Sequence, residues 1–242
     1  MHKCCIGTVL AILCLASGCG GDEASEPLAV YAAASLAEVF PAIDDTPSYS
    51  FAGSGELATQ IREGAPADVY VAASSKYPQE LFDEEIVDEP LTFASNRLVL
   101  IVPRESSAAI ESAEDLLQPG TRLVVAAEGV PVGDYTRAAL EALGLSAALE
   151  NVVSNEDDVK GVVAKVALGE ADAGFVYATD VTAVADDVRS FELPDVAQPE
   201  VEYQIAVVVD SDDPDGAGAF VQRLLGPDGR EALERAGFVV PT

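Results

Sequence analysis
Short apolar runs alternate with amphipathic stretches along most of the chain, the pattern of strands handing over to helices. Read that way, strands fall at 28–31, 49–51, 69–71, 98–102, 123–126, 173–176 and 205–209. Helices fall at 36–43, 56–63, 134–143, 158–168, 217–225 and 227–235. The run Leu-Val-Leu-Ile-Val at 98–102 is apolar throughout, as a central strand covered on both faces would be. This alternation predicts an α/β protein with a mostly parallel sheet. Beyond residue 20 no apolar run reaches membrane-spanning length, and no short-period repeat interrupts the pattern.

The junctions carry more information than the elements. Three strands pass into helices through small or glycine-bearing turns: Ala-Ala-Ala-Ser at 32–35, Ala-Gly-Ser-Gly at 52–55 and Gly-Val-Pro-Val-Gly-Asp-Tyr at 129–135. In a parallel sheet such turns gather at the carboxyl ends of the strands, where ligands bind. Each helix start offers unpaired N–H groups and the positive end of a dipole. Several converging starts would hold an anion without any cationic side chain.

Composition narrows the chemistry. The 242 residues include 13 Lys and Arg against 42 Asp and Glu, a formal charge of −29. A chain this acidic does not hold a phosphate backbone by charge, so nucleic acid is excluded as a partner. The single histidine is His2, and the four cysteines are Cys4, Cys5, Cys14 and Cys19. Beyond residue 19 there is neither imidazole nor thiol. Ser-His and Cys-His nucleophiles, His- or Cys-ligated zinc and disulfides are therefore absent from the folded part. Hydroxyls, carboxylates, a few cations and the backbone remain.

The amino terminus reads as an export signal over residues 1–18. A basic start (Lys3) precedes the apolar run 6–16, long enough for a signal core and too short for a bilayer. Ala16-Ser17-Gly18-Cys19 resembles the bacterial lipoprotein box, with Ala16 in place of the usual Leu. The resemblance implies lipidation of Cys19, a membrane anchor and an extracytoplasmic address. Residues 19–28 would then be a polar tether. Cleavage removes one cation and no acid, leaving 12 cations, 42 acids and a charge of −30.

Individual residues have plain structural readings. Ser35 with Glu38 has the spacing of a capping box. Ser54 between two glycines suits either a tight turn or a close approach to ligand. Val159 at a helix start would ordinarily be core, and Tyr177 a half-buried aromatic at a strand end. The acidic run at 210–216 fails the calcium-loop pattern, since Pro214 and Asp215 stand at positions five and six. It reads as a turn before a helix.

Taken in order, however, Ala-Ala-Ala-Ser-Leu (32–36), Phe-Ala-Gly-Ser-Gly-Glu-Leu (51–57), Gly-Ala-Pro-Ala-Asp-Val-Tyr-Val-Ala-Ala-Ser (64–74), Val-Pro-Val-Gly-Asp-Tyr (130–135), Glu-Asp-Asp-Val-Lys-Gly (156–161) and Gly-Phe-Val-Tyr-Ala-Thr-Asp (174–180) resemble the molybdate-binding proteins of ABC importers. The ending at 226–238 resembles that class too. The resemblance implies a two-lobed periplasmic binding protein (venus-flytrap) fold with two hinge crossovers, near Val102 and Ala206. Residues 29–101 with 207–242 would form one lobe and 102–206 the other.

The implied ligand is molybdate or tungstate, with molybdenum present only inside the oxyanion and touched by no protein atom. By the family's pattern, Ser35 and Ser54 contribute hydroxyl and N–H, Val132 and Val159 the backbone N–H, and Tyr177 its hydroxyl. The chain would be a monomer without cofactor or catalysis, delivering its anion to an ABC permease driven by an ATPase. The spacing of nineteen between Ser35 and Ser54 implies a first helix shorter by about two turns. Another oxyanion such as sulfate, or a surface lipoprotein that has lost its ligand, are the alternatives. A carboxylate enzyme would need an acid pair in the cleft, where the motifs place hydroxyls and amides.

Overall fold
Backbone pairing sorts the strands into two five-stranded sheets in the computed structural model, which describes residues 26–106 and 108–241. The signal segment and Cys19 lie outside the described residues. The first half of the chain gives β1 (Ala29–Ala33), a 3-10 turn (Ala34–Leu36), α1 (Phe40–Ile43), β2 (Ser48–Ala52), α2 (Ser54–Arg62), β3 (Val69–Ala72), α3 (Lys76–Asp83), β4 (Leu91–Asn96) and β5 (Leu98–Pro103). It continues through β6 (Leu123–Ala126), α4 (Pro131–Ala142), β7 (Val152–Glu156), α5 (Val159–Ala167), β8 (Ala173–Tyr177), α6 (Ala178–Val181) and β9 (Val188–Glu192). The last elements are β10 (Val201–Val207), α7 (Pro214–Leu225) and α8 (Pro227–Arg235).

The two sheets repeat one topology. The first runs β2-β1-β3-β10-β4 and the second β7-β6-β8-β5-β9. In each, three strands are parallel and the last two are joined antiparallel. Half the pairings are thus antiparallel, and the expected mostly parallel sheet is corrected to two mixed ones. The cause is connectivity: β10 and β5 each enter their sheet directly from the other lobe, against the direction of the parallel trio.

The crossovers also move. Leu98–Ile101 pair with Gly174–Tyr177, and Gln204–Val207 pair with Val69–Ala72. Register hydrogen bonding therefore places β5 in the second lobe and β10 in the first. The chain crosses at Arg97 and again over 193–200, rather than near Val102 and Ala206. Gln198 holds the two crossings side by side: its Oε1 accepts from Leu98 N at 3.1 Å, and its Nε2 donates to Leu98 O at 2.9 Å.

Other differences are local. Where a helix was expected at 36–43, the chain makes a single 3-10 turn and the four-residue α1. α4 begins at Pro131, whose missing N–H suits a first helical position. Asp213 caps α7 by accepting from Gly216 N at 2.9 Å, making the acidic run the turn before a helix. β4, β7 and β9 had no signal, and all three are edge strands.

Alternation on β3 divides the first lobe's interior. Val69 and Val71 face a cluster that continues through the second lobe, whereas Tyr70 and Ala72 face a smaller one under α2 and α3. Within the larger cluster an aromatic series runs toward the cleft. Phe220 meets Phe40 edge-on at 5.8 Å, Phe40 meets Phe93 at 6.2 Å, and Phe93 meets Tyr203 at 6.2 Å. Tyr203 then meets Tyr177 of the other lobe at 5.9 Å. Replacing the buried Phe93 by Ala should cost about 3–5 kcal/mol, read as a lower denaturation midpoint in urea.

Candidate functional site
Helix starts from both lobes converge on one small cavity of about 20 Å³. Its lining includes Ser35, Ser54, Val132, Val159 and Tyr177, so all five residues singled out in the sequence come together. Ser35 and Ser54 come from the first lobe and the other three from the second. Each lies at the carboxyl end of a parallel strand or just beyond it: Ser35 sits in the 3-10 turn after β1, and Ser54 opens α2 after β2. Val132 lies in the first turn of α4, Val159 opens α5, and Tyr177 ends β8.

First-turn N–H groups have no intrahelical acceptor, so Ser54, Val132 and Val159 direct backbone donors without a partner in their own helix. Small apolar side chains (Ala33, Ala34, Ala52, Ala73) fill the rest of the wall with Val130 and Pro131. Asp158 also lines the cavity, but its Oδ1 is engaged by Gly161 N at 3.0 Å as the cap of α5. No lysine or arginine is among the lining residues.

Hydrogen bonds behind the wall set the direction of the hydroxyls. Ser54 Oγ accepts from Ala73 N at 3.1 Å, which leaves its own proton free for the cavity. Ser35 Oγ lies 2.9 Å from the hydroxyl of the fully buried Tyr203. If Tyr203 donates, Ser35 in turn donates forward. The capping-box reading of Ser35 is thereby corrected: Ser35 is inside the 3-10 turn with no cap bond, and Glu38 pairs with Lys160 instead. Burial holds the Tyr177 phenol well above its ordinary range, with Tyr203, Tyr135 and nearby carboxylates adding to it. Tyr177 remains a protonated donor.

The lobes meet tightly around this cavity. Tyr77 of α3 donates its hydroxyl to Gly129 O of the second lobe. At Gly53, a Cβ would stand 2.6 Å from Asp157 O across the cleft, and at Gly55 one would stand 2.9 Å from Gly129 O. Glycine is needed there because backbone from the opposite lobe occupies the side-chain position.

Tyr203, Lys160 and Asp180 are the residues that sequence reasoning missed. Asp180 is buried beside Tyr177, and its Oδ2 accepts from Tyr177 N at 3.3 Å. Lys160 Nζ lies 3.0 Å from Asp180 Oδ1, an ion pair without hydrogen-bond alignment. Burial pushes the Asp180 carboxyl up to about 6, while Lys160 and the Tyr177 N–H pull the other way.

A cavity of converging donors closed between two α/β lobes defines a two-lobed ligand-capturing protein. The bacterial extracellular solute-binding protein family matches residues 28–239, and the chain belongs to that family. It is 34% identical to the molybdate-binding protein ModA of Mycobacterium tuberculosis, over 93% of this chain and 89% of that one. The same identity holds to the molybdate-binding protein ModA of Escherichia coli, over 79% and 77%. The periplasmic molybdate-binding protein of Azotobacter vinelandii shares the fold, with a TM-score of 0.78 at 23% identity, covering 89% of this chain and all of that one.

Asp180 gives the site a pH signature. Between pH 3.8 and about 6 the folded protein keeps a proton that the unfolded chain has released. Ionising Asp180 therefore removes stability as the pH rises through that window. The Tm of Asp180→Asn relative to the unsubstituted protein should rise between pH 4 and pH 7, as measured by calorimetry at both.

Proposed function
We propose that the protein captures molybdate or tungstate outside the cytoplasm and passes it to an ABC permease driven by an ATPase. One observation supports this reading: Ser35, Ser54, Val132, Val159 and Tyr177 line one small cavity that no cationic side chain lines. Ser35 and Ser54 bind through hydroxyl and N–H, Val132 and Val159 through backbone N–H, and Tyr177 through its phenol. Relatives at 34% identity named as molybdate-binding proteins support the choice of ligand. The protein acts as a monomeric carrier anchored through lipidated Cys19, and performs no catalysis.

The physics of such a pocket favours one kind of anion. A hydrogen bond to a charged acceptor contributes about 1.5–3 kcal/mol. Several together exceed association costs of about 4–15 kcal/mol when the donors are already in place. A wall of donors has no acceptor for a proton, so hydrogen phosphate would set its P–OH against another donor. A fully deprotonated tetrahedral dianion has no such conflict. Sulfate is smaller and leaves donors unpaired, which costs affinity.

Binding also explains the ambiguous hydroxyl pair. An anion in the cavity selects the arrangement in which Tyr203 donates to Ser35 and Ser35 donates to the anion. The net charge of −29 opposes capture at long range. At about 0.15 M salt, charges beyond about 8 Å are largely screened.

Thermal unfolding with molybdate, tungstate, sulfate and phosphate tests the reading. At a ligand concentration about 100 times Kd the native state gains about 2.7 kcal/mol, raising Tm by roughly 5–11 °C. The shift is expected with molybdate and tungstate only. Ser54→Ala and Tyr177→Phe should each weaken binding roughly 10- to 100-fold. A shift with sulfate alone would reassign the ligand, and none with any anion would sink the proposal.

A further inference from the structure
Lys160 stands where a helix least favours a cation, in the first turn of α5, one residue beyond Val159. Two carboxylates hold it there. Its Nζ lies 3.0 Å from Asp180 Oδ1 and 2.7 Å from Glu38 Oε2. These partners differ in kind. The Asp180 side chain is fully buried and belongs to the same lobe as Lys160, whereas the Glu38 side chain is 62% exposed and belongs to the other.

The first pair is a requirement of the second lobe itself. A buried carboxylate with no counter-ion is strongly destabilising, so Asp180 fixes the ammonium at the cleft edge. Burial lowers the basicity of Lys160, and the two carboxylates more than restore it, so the group stays charged. The second pair is made only when the lobes are together, because Glu38 lies in the turn between the 3-10 segment and α1 of the first lobe. It is separate from the Tyr77–Gly129 contact, which joins α3 to the loop before α4.

We propose that Lys160, anchored by Asp180, is a positioning residue that latches the lobes through Glu38 and so sets how long the captured anion is retained. Neither Glu38 nor Lys160 is among the lining residues, and the latch acts on closure rather than on the donors. The latch rests on the oxyanion-capture reading, since it acts on the residence of that cargo. It gives the protein a contact that can be loosened from outside, because Glu38 is exposed.

The test is the dissociation rate of radiolabelled molybdate from the full-length protein, chased with unlabelled molybdate at 0.15 M and 1 M NaCl. Glu38→Gln removes the cross-lobe pair and leaves Lys160–Asp180 intact. It should raise koff roughly 1.5- to 5-fold, the range of an exposed ion pair, and change kon by less. Glu38→Lys places like charges across the cleft and should raise koff further. At 1 M salt, where the screening length is about 3 Å, the differences between the variants should shrink. Equal koff for all three proteins, or a difference undiminished by salt, overturns the latch while leaving the capture reading in place. Failure of the unsubstituted protein to bind molybdate overturns both.

Discussion
Everything at the cleft depends on the direction of three parallel strands in each lobe. Their carboxyl ends face the other lobe, so the helices with Ser54, Val132 and Val159 in their first turns begin at the cleft, where first-turn N–H groups lack an acceptor in their own helix. That single directional constraint makes an anion site out of backbone. It also explains the residue types present. On the proposed reading, the side chain is free to be Val132 or Val159 where the donor is an amide, and only Ser35, Ser54 and Tyr177 contribute functional groups of their own. The antiparallel strands β5 and β10 have another task, carrying the chain between lobes, and they leave no helix start in the cleft.

Much of this was legible in the sequence, for identifiable reasons. Strands covered on both faces, such as β5 and β6, are apolar runs, and their burial in the structure is complete along Leu98–Val102 and Leu123–Ala126. Three of the four edge strands, β4, β7 and β9, were not legible. In β7, Val-Val-Ser-Asn-Glu carries no buried position, and in β9 only Val188 is buried, so neither presents an apolar stripe. α3 was hidden by Pro78, which its first turn tolerates. The lobe boundaries were misplaced because hydrogen-bond register, not hydrophobicity, decides to which sheet a central strand belongs.

The five residues proposed for the site were readable singly and line one cavity, whereas their supports were unreadable. Tyr203 lies 168 positions from the serine it contacts, and no local pattern connects them. Its place at the end of the aromatic series gives it two duties at once. It presses edge-on against Tyr177, and its hydroxyl orients Ser35. Glu38 shows the opposite error. The spacing Ser-x-x-Glu suggested a local bond, but the 3-10 turn placed the serine inside the segment and turned the glutamate toward the opposite lobe.

Gln198 has a mechanical consequence. One amide ties Leu98, where the chain has just crossed outward, to the segment that brings it back. Two connections held abreast behave as a ribbon, compliant to bending across its width and stiff to twisting and to sliding. A hinge built this way would favour a single angular coordinate for any relative motion of the lobes. Along such a coordinate each half would move as a unit, so that the two walls of the cavity meet again in the same register.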